Sequence, residues 1–153
     1  MFRCYLALGS NIGDRLGHLG AGISGLEFHG ISVIRSASIY STQPKEILSQ
    51  PWFLNTVVEV ETELEPEDLL KICRNIENSR ERRRQLQNGP RTLDIDIILF
   101  DDRVVQSPGL TIPHPRYAER RFVLQPLSEI ASDQMDPVRK QTVGRLHEAV
   151  QDV

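Results

Sequence analysis

The sequence predicts a mixed α/β domain whose chain runs β-α-β-β-α-β and then continues into a short helical extension. Three observations carry this. Four stretches read as extended segments, "FRCYLAL", "ISVIRSASIYST", "FLNTVVEVET" and "TLDIDIILF". Two segments between them repeat apolar residues at helical spacing. Turn or proline signals stand where one period gives way to the other.

Residues 2–8 form the first strand, ended by Gly9-Ser10-Asn11. Leu16, Leu19, Ile23 and Leu26 then predict an amphipathic helix over 12–28. The second strand spans 31–42, with Val33, Arg35, Ala37 and Ile39 on one face. The third, 53–62, places Phe53, Asn55, Val57 and Glu59 on one face and Leu54, Thr56, Val58 and Val60 on the other. Pro66 suits a first helical position, and Glu65, Glu67 and Asp68 favour the positive end of a helix dipole. Leu69, Ile72 or Cys73, and Ile76 give this second helix its stripe, which fails at Arg80. A strand at 92–100 follows the basic loop "RERRRQLQNGPR", then a short strand at Val104-Val105 and the proline-bracketed "IPHPRYAERRF". "VLQPLSEIA" and "TVGRLHEAV" predict closing helices. The order is that of a ferredoxin-like fold: an antiparallel sheet, both helices on one face, and a C-terminal extension.

At 153 residues the chain suits one domain, 1–153. With 39% hydrophobic and 25% charged residues and no apolar run near the roughly 20 residues of a membrane span, neither a membrane protein nor a disordered chain is expected. The N-terminus lacks a secretory h-region, so a cytoplasmic location is expected. Cys4 and Cys73 have no metal-ligand spacing and read as reduced core residues. The net charge of −3 argues against general nucleic-acid binding. Yet 15 of the 18 basic residues are arginine, nine of them between Arg80 and Arg121. Arginine offers a planar fork of donors matched to phosphate.

The segment "NGPRTLDIDIILF" carries the chemistry. Alternation turns Leu93, Ile95, Ile97 and Leu99 one way and Asp94 and Asp96 the other, their Cα atoms about 7 Å apart. Two carboxylates on one strand face suit Mg²⁺, which takes a couple of carboxylates and completes its shell with water and phosphate oxygens. Asp-x-Asp alone is equally a wet strand face. Arg91 and the run Arg82–Arg84 nearby make a polyphosphate the fitting ligand, and phosphoryl-type transfer the fitting reaction. No Gly-x-x-x-x-Gly-Lys-Ser/Thr loop is present, and "LGSNIGD" matches a phosphate loop only loosely. His114, between two prolines and followed by Arg120 and Arg121, is a candidate phosphate donor.

"LALGSNIGDR", "Y-S-T-Q-P", "F-L-N", "NGPRTLDIDIILF" and "IPHPRYAERRFVLQPL" occur in that order. Together they resemble the 6-hydroxymethyl-7,8-dihydropterin pyrophosphokinases over about residues 3–130. The resemblance implies a monomeric ferredoxin-like enzyme that transfers the terminal pyrophosphoryl unit of ATP to the pterin's hydroxymethyl oxygen and releases AMP. It implies two Mg²⁺ ions on Asp94 and Asp96, and Arg82 and Arg91 stabilising the transferring group. Arg84, His114 and Arg120 would hold ATP phosphates, with Glu77, Ile97, Leu110 and Thr111 near the nucleotide. Thr42, Pro44 and Asn55 would hold the pterin, stacked between Phe53 and Phe122. Arg80-Glu81 stands where many members have Leu-Gly, Asn88 where some have Trp, and Arg74 where some have Gln. The long polar loops 43–51 and 80–90 are expected to close over the reactants.

Two other readings compete: a non-catalytic nucleotide- or RNA-binding ferredoxin-like module, and an Asp-x-Asp glycosyl or nucleotidyl transferase. The first is disfavoured by only 6% aromatic residues and the negative charge balance. The second leaves Thr42, Phe53 and Asn55 unexplained.

Overall fold

In the computed structural model, which describes residues 1–43, 51–80 and 92–151, strand β1 (Phe2–Ser10) is the hub of the sheet. It pairs antiparallel with β4 (Phe53–Thr62) on one side and β5 (Asp94–Phe100) on the other. Strands β2 (Ser32–Ser36) and β3 (Tyr40–Thr42) both pair with β4, giving the order β2-β4-β1-β5 with β3 beside the start of β4. This is the ferredoxin-like sheet that the sequence predicts, with one strand in two pieces. The predicted second strand breaks at residues 37–39, where the Ala37 N–H reaches over to the Val57 carbonyl at 2.9 Å.

The first face of the sheet is covered by α1 (Arg15–Phe28) and α2 (Pro66–Arg80). Leu19 and Leu26 of α1 and Leu69, Cys73 and Ile76 of α2 pack on Cys4, Leu6, Leu8, Val58, Val60 and Ile95. Each such side chain contributes about 1.5–3 kcal/mol on leaving water. Gly22 brings α1 down onto β1, since a Cβ there would stand 2.9 Å from Leu8. The helix begins at Arg15 rather than 12 because Asp14 caps it, its Oδ1 accepting the Gly17 N–H at 3.0 Å. Leu16, predicted on the buried stripe, is 60% exposed, and Gly22 takes a place on the buried side.

Two irregularities overturn faces expected from strict alternation. Val33 pairs with Val60 but Arg35 pairs with Glu59, so the extra residue Ile34 puts Val33 and Arg35 on opposite faces. Likewise Leu6 pairs with Ile97 and Tyr5 with Leu99, leaving Ile98 as a bulge. Leu99 therefore joins the second face instead of sharing the face of Leu93, Ile95 and Ile97.

That second face carries the C-terminal extension, α3 (Arg121–Ala131) and α4 (Val143–Ala149), packed through Val123, Leu124, Leu127, Val143 and Leu146 onto Tyr5, Val57, Ile98 and Leu99. The strand expected at Val104-Val105 is a hairpin, β6 (Val105–Ser107) and β7 (Leu110–Ile112), and β7 falls in a stretch that the prolines disguise. Cys4 and Cys73 are free and buried, and burial pushes the Cys73 thiol up to about 12, where it is inert.

Candidate active site

The register of the sheet builds the site. One row across the second face reads Tyr40, Asn55, Gly9, Asp94, and the next reads Val57, Ala7, Asp96. Apolar packing stops at that second row, and beyond it the face turns polar. Asn55 and Asp94 stand two strand spacings apart, about 10 Å, with the smallest residue between them. A Cβ on Gly9 would fall 2.7 Å from Asn55 Oδ1, so the amide lies over the glycine. The opposite side of the amide is fixed as well: Asn55 Nδ2 donates to Thr42 Oγ1 at 2.6 Å, and Thr42 pairs with Phe53. Thr42, Phe53 and Asn55, singled out from sequence, therefore form one wall.

Asp94 and Asp96 share the predicted face, both half-buried. The strand that aims them is held from its free edge. Glu77 of α2 is 3% exposed, and its carboxylate accepts the Ile95 N–H at 2.7 Å. Arg74 Nη1 donates to Glu77 Oε2 at 2.9 Å and to the Ile95 carbonyl at 3.1 Å. Among the described residues no strand lies on that side of β5, and two side chains occupy its ladder positions. Burial raises the Glu77 carboxyl, against the Ile95 N–H and Arg74, which lower it. Ile97 and Leu110 are buried, while Thr111 is exposed on β7.

His114 leaves β7 after the cis Ile112-Pro113 bond, and its N–H donates to the Ile98 carbonyl at 2.9 Å, at the bulge. Its Nδ1 accepts the Arg116 N–H at 3.1 Å, which leaves Nε2 to carry the proton of the neutral ring. Burial lowers the His114 pKa; Asp96 opposes this, while Arg120, Arg116 and Arg139 add to it. A buried network supports the segment: Asp136 accepts Tyr117 OH at 2.6 Å and Arg139 Nη1 at 3.0 Å, and Arg139 Nη2 donates to the Pro115 carbonyl at 3.1 Å. Arg120 stands just before α3, its guanidinium 5.7 Å from the ring centre of Phe122.

The structure thus brings Thr42, Phe53, Asn55, Asp94 and Asp96 to one face of the sheet, with the His114 main chain hydrogen-bonded to the same strand at Ile98. Pro44, Arg82, Arg84 and Arg91 lie outside the described residues, as do most of the two predicted loops. No group of three or more His, Cys, Asp or Glu suited to a metal occurs among the described residues. The donor set that does occur, an oxygen-only pair on one face, fits a hard cation whose other ligands are water and phosphate.

Some contributors were not singled out from sequence. Gly9 and Ala7 space the two halves of the site, and the signal was there in "LALG", where small residues alternate with leucines on one strand. Glu77, which the family resemblance had already singled out, stands four residues after Cys73 and so falls on the inward side of α2, where a charge needs a partner.

Residues 5–132 match the family model for 7,8-dihydro-6-hydroxymethylpterin-pyrophosphokinase. The chain is 46% identical over 127 residues to 2-amino-4-hydroxy-6-hydroxymethyldihydropteridine pyrophosphokinase of Bacillus subtilis (strain 168), covering 82% of this chain and 76% of that protein. It is 42% identical over 134 residues to the protein of the same name from Methylorubrum extorquens, covering 87% of this chain and 85% of that one. Among solved structures, an HPPK-DHPS in complex with substrates aligns over 97% of this chain and 43% of that chain at a TM-score of 0.78. Its 14% identity makes that a likeness of fold.

Proposed function

Because the chain belongs to the 7,8-dihydro-6-hydroxymethylpterin-pyrophosphokinase family, we infer that it transfers pyrophosphate from ATP to the hydroxymethyl group of 6-hydroxymethyl-7,8-dihydropterin, a step of folate biosynthesis. The products are AMP and the pterin diphosphate. One observation supports this reading most: the row Asn55, Gly9, Asp94, in which an amide anchored for a flat heterocycle and a carboxylate suited to a phosphate-bound cation share one face.

The roles follow from that row. The hydroxymethyl oxygen attacks the β-phosphorus, the bond from that phosphorus to the α-phosphate oxygen breaks to release AMP, and the hydroxyl proton passes to water. Asn55 and Thr42 hydrogen-bond the pterin edge, Pro44 shapes the pocket, and Phe53 and Phe122 stack on its faces. Asp94 and Asp96 would hold two magnesium ions, which would offset triphosphate charge. His114, its Nδ1 already engaged, offers Nε2–H to a phosphate oxygen. Arg84 and Arg120 take further phosphate oxygens, while Arg82 and Arg91 face the charge on the transferring group. Glu77 acts on the nucleotide side through the Ile95 main chain, alongside Ile97, Leu110 and Thr111. The enzyme works as a cytoplasmic monomer on small molecules, with no nucleic-acid partner.

Incubation with ATP, Mg²⁺ and the hydroxymethyl dihydropterin tests the reading. AMP and the pterin diphosphate are expected in equal amounts. ADP with a pterin monophosphate, or no pterin product, would contradict it.

A further inference from the structure

We propose that Glu129 of α3 is a positioning residue that sets the gap between Phe122 and the Thr42, Phe53, Asn55 wall, and so tunes affinity for the pterin. The proposal rests on the reading of that gap as the pterin slot.

Glu129 is an exposed residue, yet three donors from one short segment converge on its carboxylate. The Ser38 N–H lies 3.0 Å from Oε2 and 3.2 Å from Oε1, Ser38 Oγ donates to Oε2 at 2.9 Å, and Tyr40 OH donates to Oε1 at 2.6 Å. The Tyr40 hydrogen bond is the main reason the carboxyl sits below its ordinary range. Tyr40 is paired with Asn55, and the same three-residue strand ends at Thr42. The carboxylate therefore grips the strand that supplies one side of the wall.

The other end of the device is on the same helix. Phe122 precedes Glu129 by seven residues, which at 3.6 residues per turn puts both on one face of α3, about 10 Å apart along the axis. One helix, which runs on through Pro126, thus carries the second stacking ring and the group that fixes the helix's height and rotation against β3. Docking α3 does not require this carboxylate, because Val123, Leu124 and Leu127 already bury the helix in the second-face core. Exposed polar contacts add little to global stability. What Glu129 adds is register between helix and strand, and a flat ligand held between two rings is sensitive to register.

The test compares the unaltered chain with Glu129→Ala, Glu129→Gln and Tyr40→Phe, measuring KM for each substrate, kcat, Tm, and equilibrium pterin binding in the presence of a non-hydrolysable ATP analogue. Glu129→Ala should raise the pterin KM and Kd about tenfold, as loss of hydrogen bonds to a charged group implies. Its KM for ATP should stay within about twofold and its Tm close to the unaltered value. Glu129→Gln, which keeps acceptor oxygen, should recover part of the affinity, and Tyr40→Phe should shift it the same way by less. A lowered Tm with unchanged pterin KM and Kd would overturn the proposal and leave Glu129 a mere tether. An equal rise in both KM values would overturn it too. Failure of the unaltered chain to form AMP would instead strike at the assigned reaction.

Discussion

The two faces of this sheet are made by the same strands and do different work. On the first face the middle of β1 presents Cys4, Leu6 and Leu8 to the core, and two helices seal it. On the second, the same strand presents Arg3, Tyr5, Ala7 and Gly9, shrinking toward the site until the backbone itself is the floor. A face built for stability fills space with large side chains, whereas a face built for reactants clears it. The chain does both within nine residues because alternation lets one strand serve two solvents.

That contrast can be broken by substitutions. Asp96→Ala should lower the rate of AMP formation on the order of a hundred- to a thousandfold, with Tm near that of the unaltered chain, as read by steady-state kinetics and thermal melts. Leu26→Ala, on the first face and fully buried, should reverse the pattern. It should cost about 2–5 kcal/mol in denaturant unfolding, with activity per folded molecule retained. Asn55→Ala should raise the pterin KM roughly ten- to a hundredfold, since the loss of a buried hydrogen-bonding group costs about 1–3 kcal/mol, and should leave the KM for ATP alone.

The smallest effect concerns pH and lies beneath the site. Burial pushes the Asp136 carboxyl up, but hydrogen bonds from Tyr117, Val138 and Arg139 prevail and leave it below its ordinary value. Its folded pKa is depressed, so its contribution is complete above the unfolded value near pH 4 and is lost as pH falls through the folded one. Asp136→Asn should therefore flatten the acid limb of stability, with melts at pH 3 and pH 7 differing less than those of the unaltered chain.

The sequence made some of this contrast legible. Period-2 alternation put Asp94 and Asp96 on one face and Phe53 and Asn55 together on one face, and helical spacing found the Leu69, Cys73, Ile76 stripe. It was blind to the bulge at Ile98, because inside "IILF" every residue is apolar and alternation leaves no mark. It was equally blind to the grip of Glu129 on Ser38 and Tyr40, which lie some 90 residues away in the chain, at separations of 91 and 89. Long-range polar partners have no local signature. The resemblance to the family supplied residue roles, and the fold supplied the distances between them.

Ala7 offers the most direct test of the central claim, that reactants meet on the second face between β4 and β5. Its methyl stands between Val57 and Asp96, and in a methyl NMR titration with a non-hydrolysable ATP analogue, Mg²⁺ and the pterin it should shift strongly. The methyls of Leu26 and Val60 on the first face should stay in place. A shift at Leu26 and Val60 with Ala7 unmoved would contradict the account.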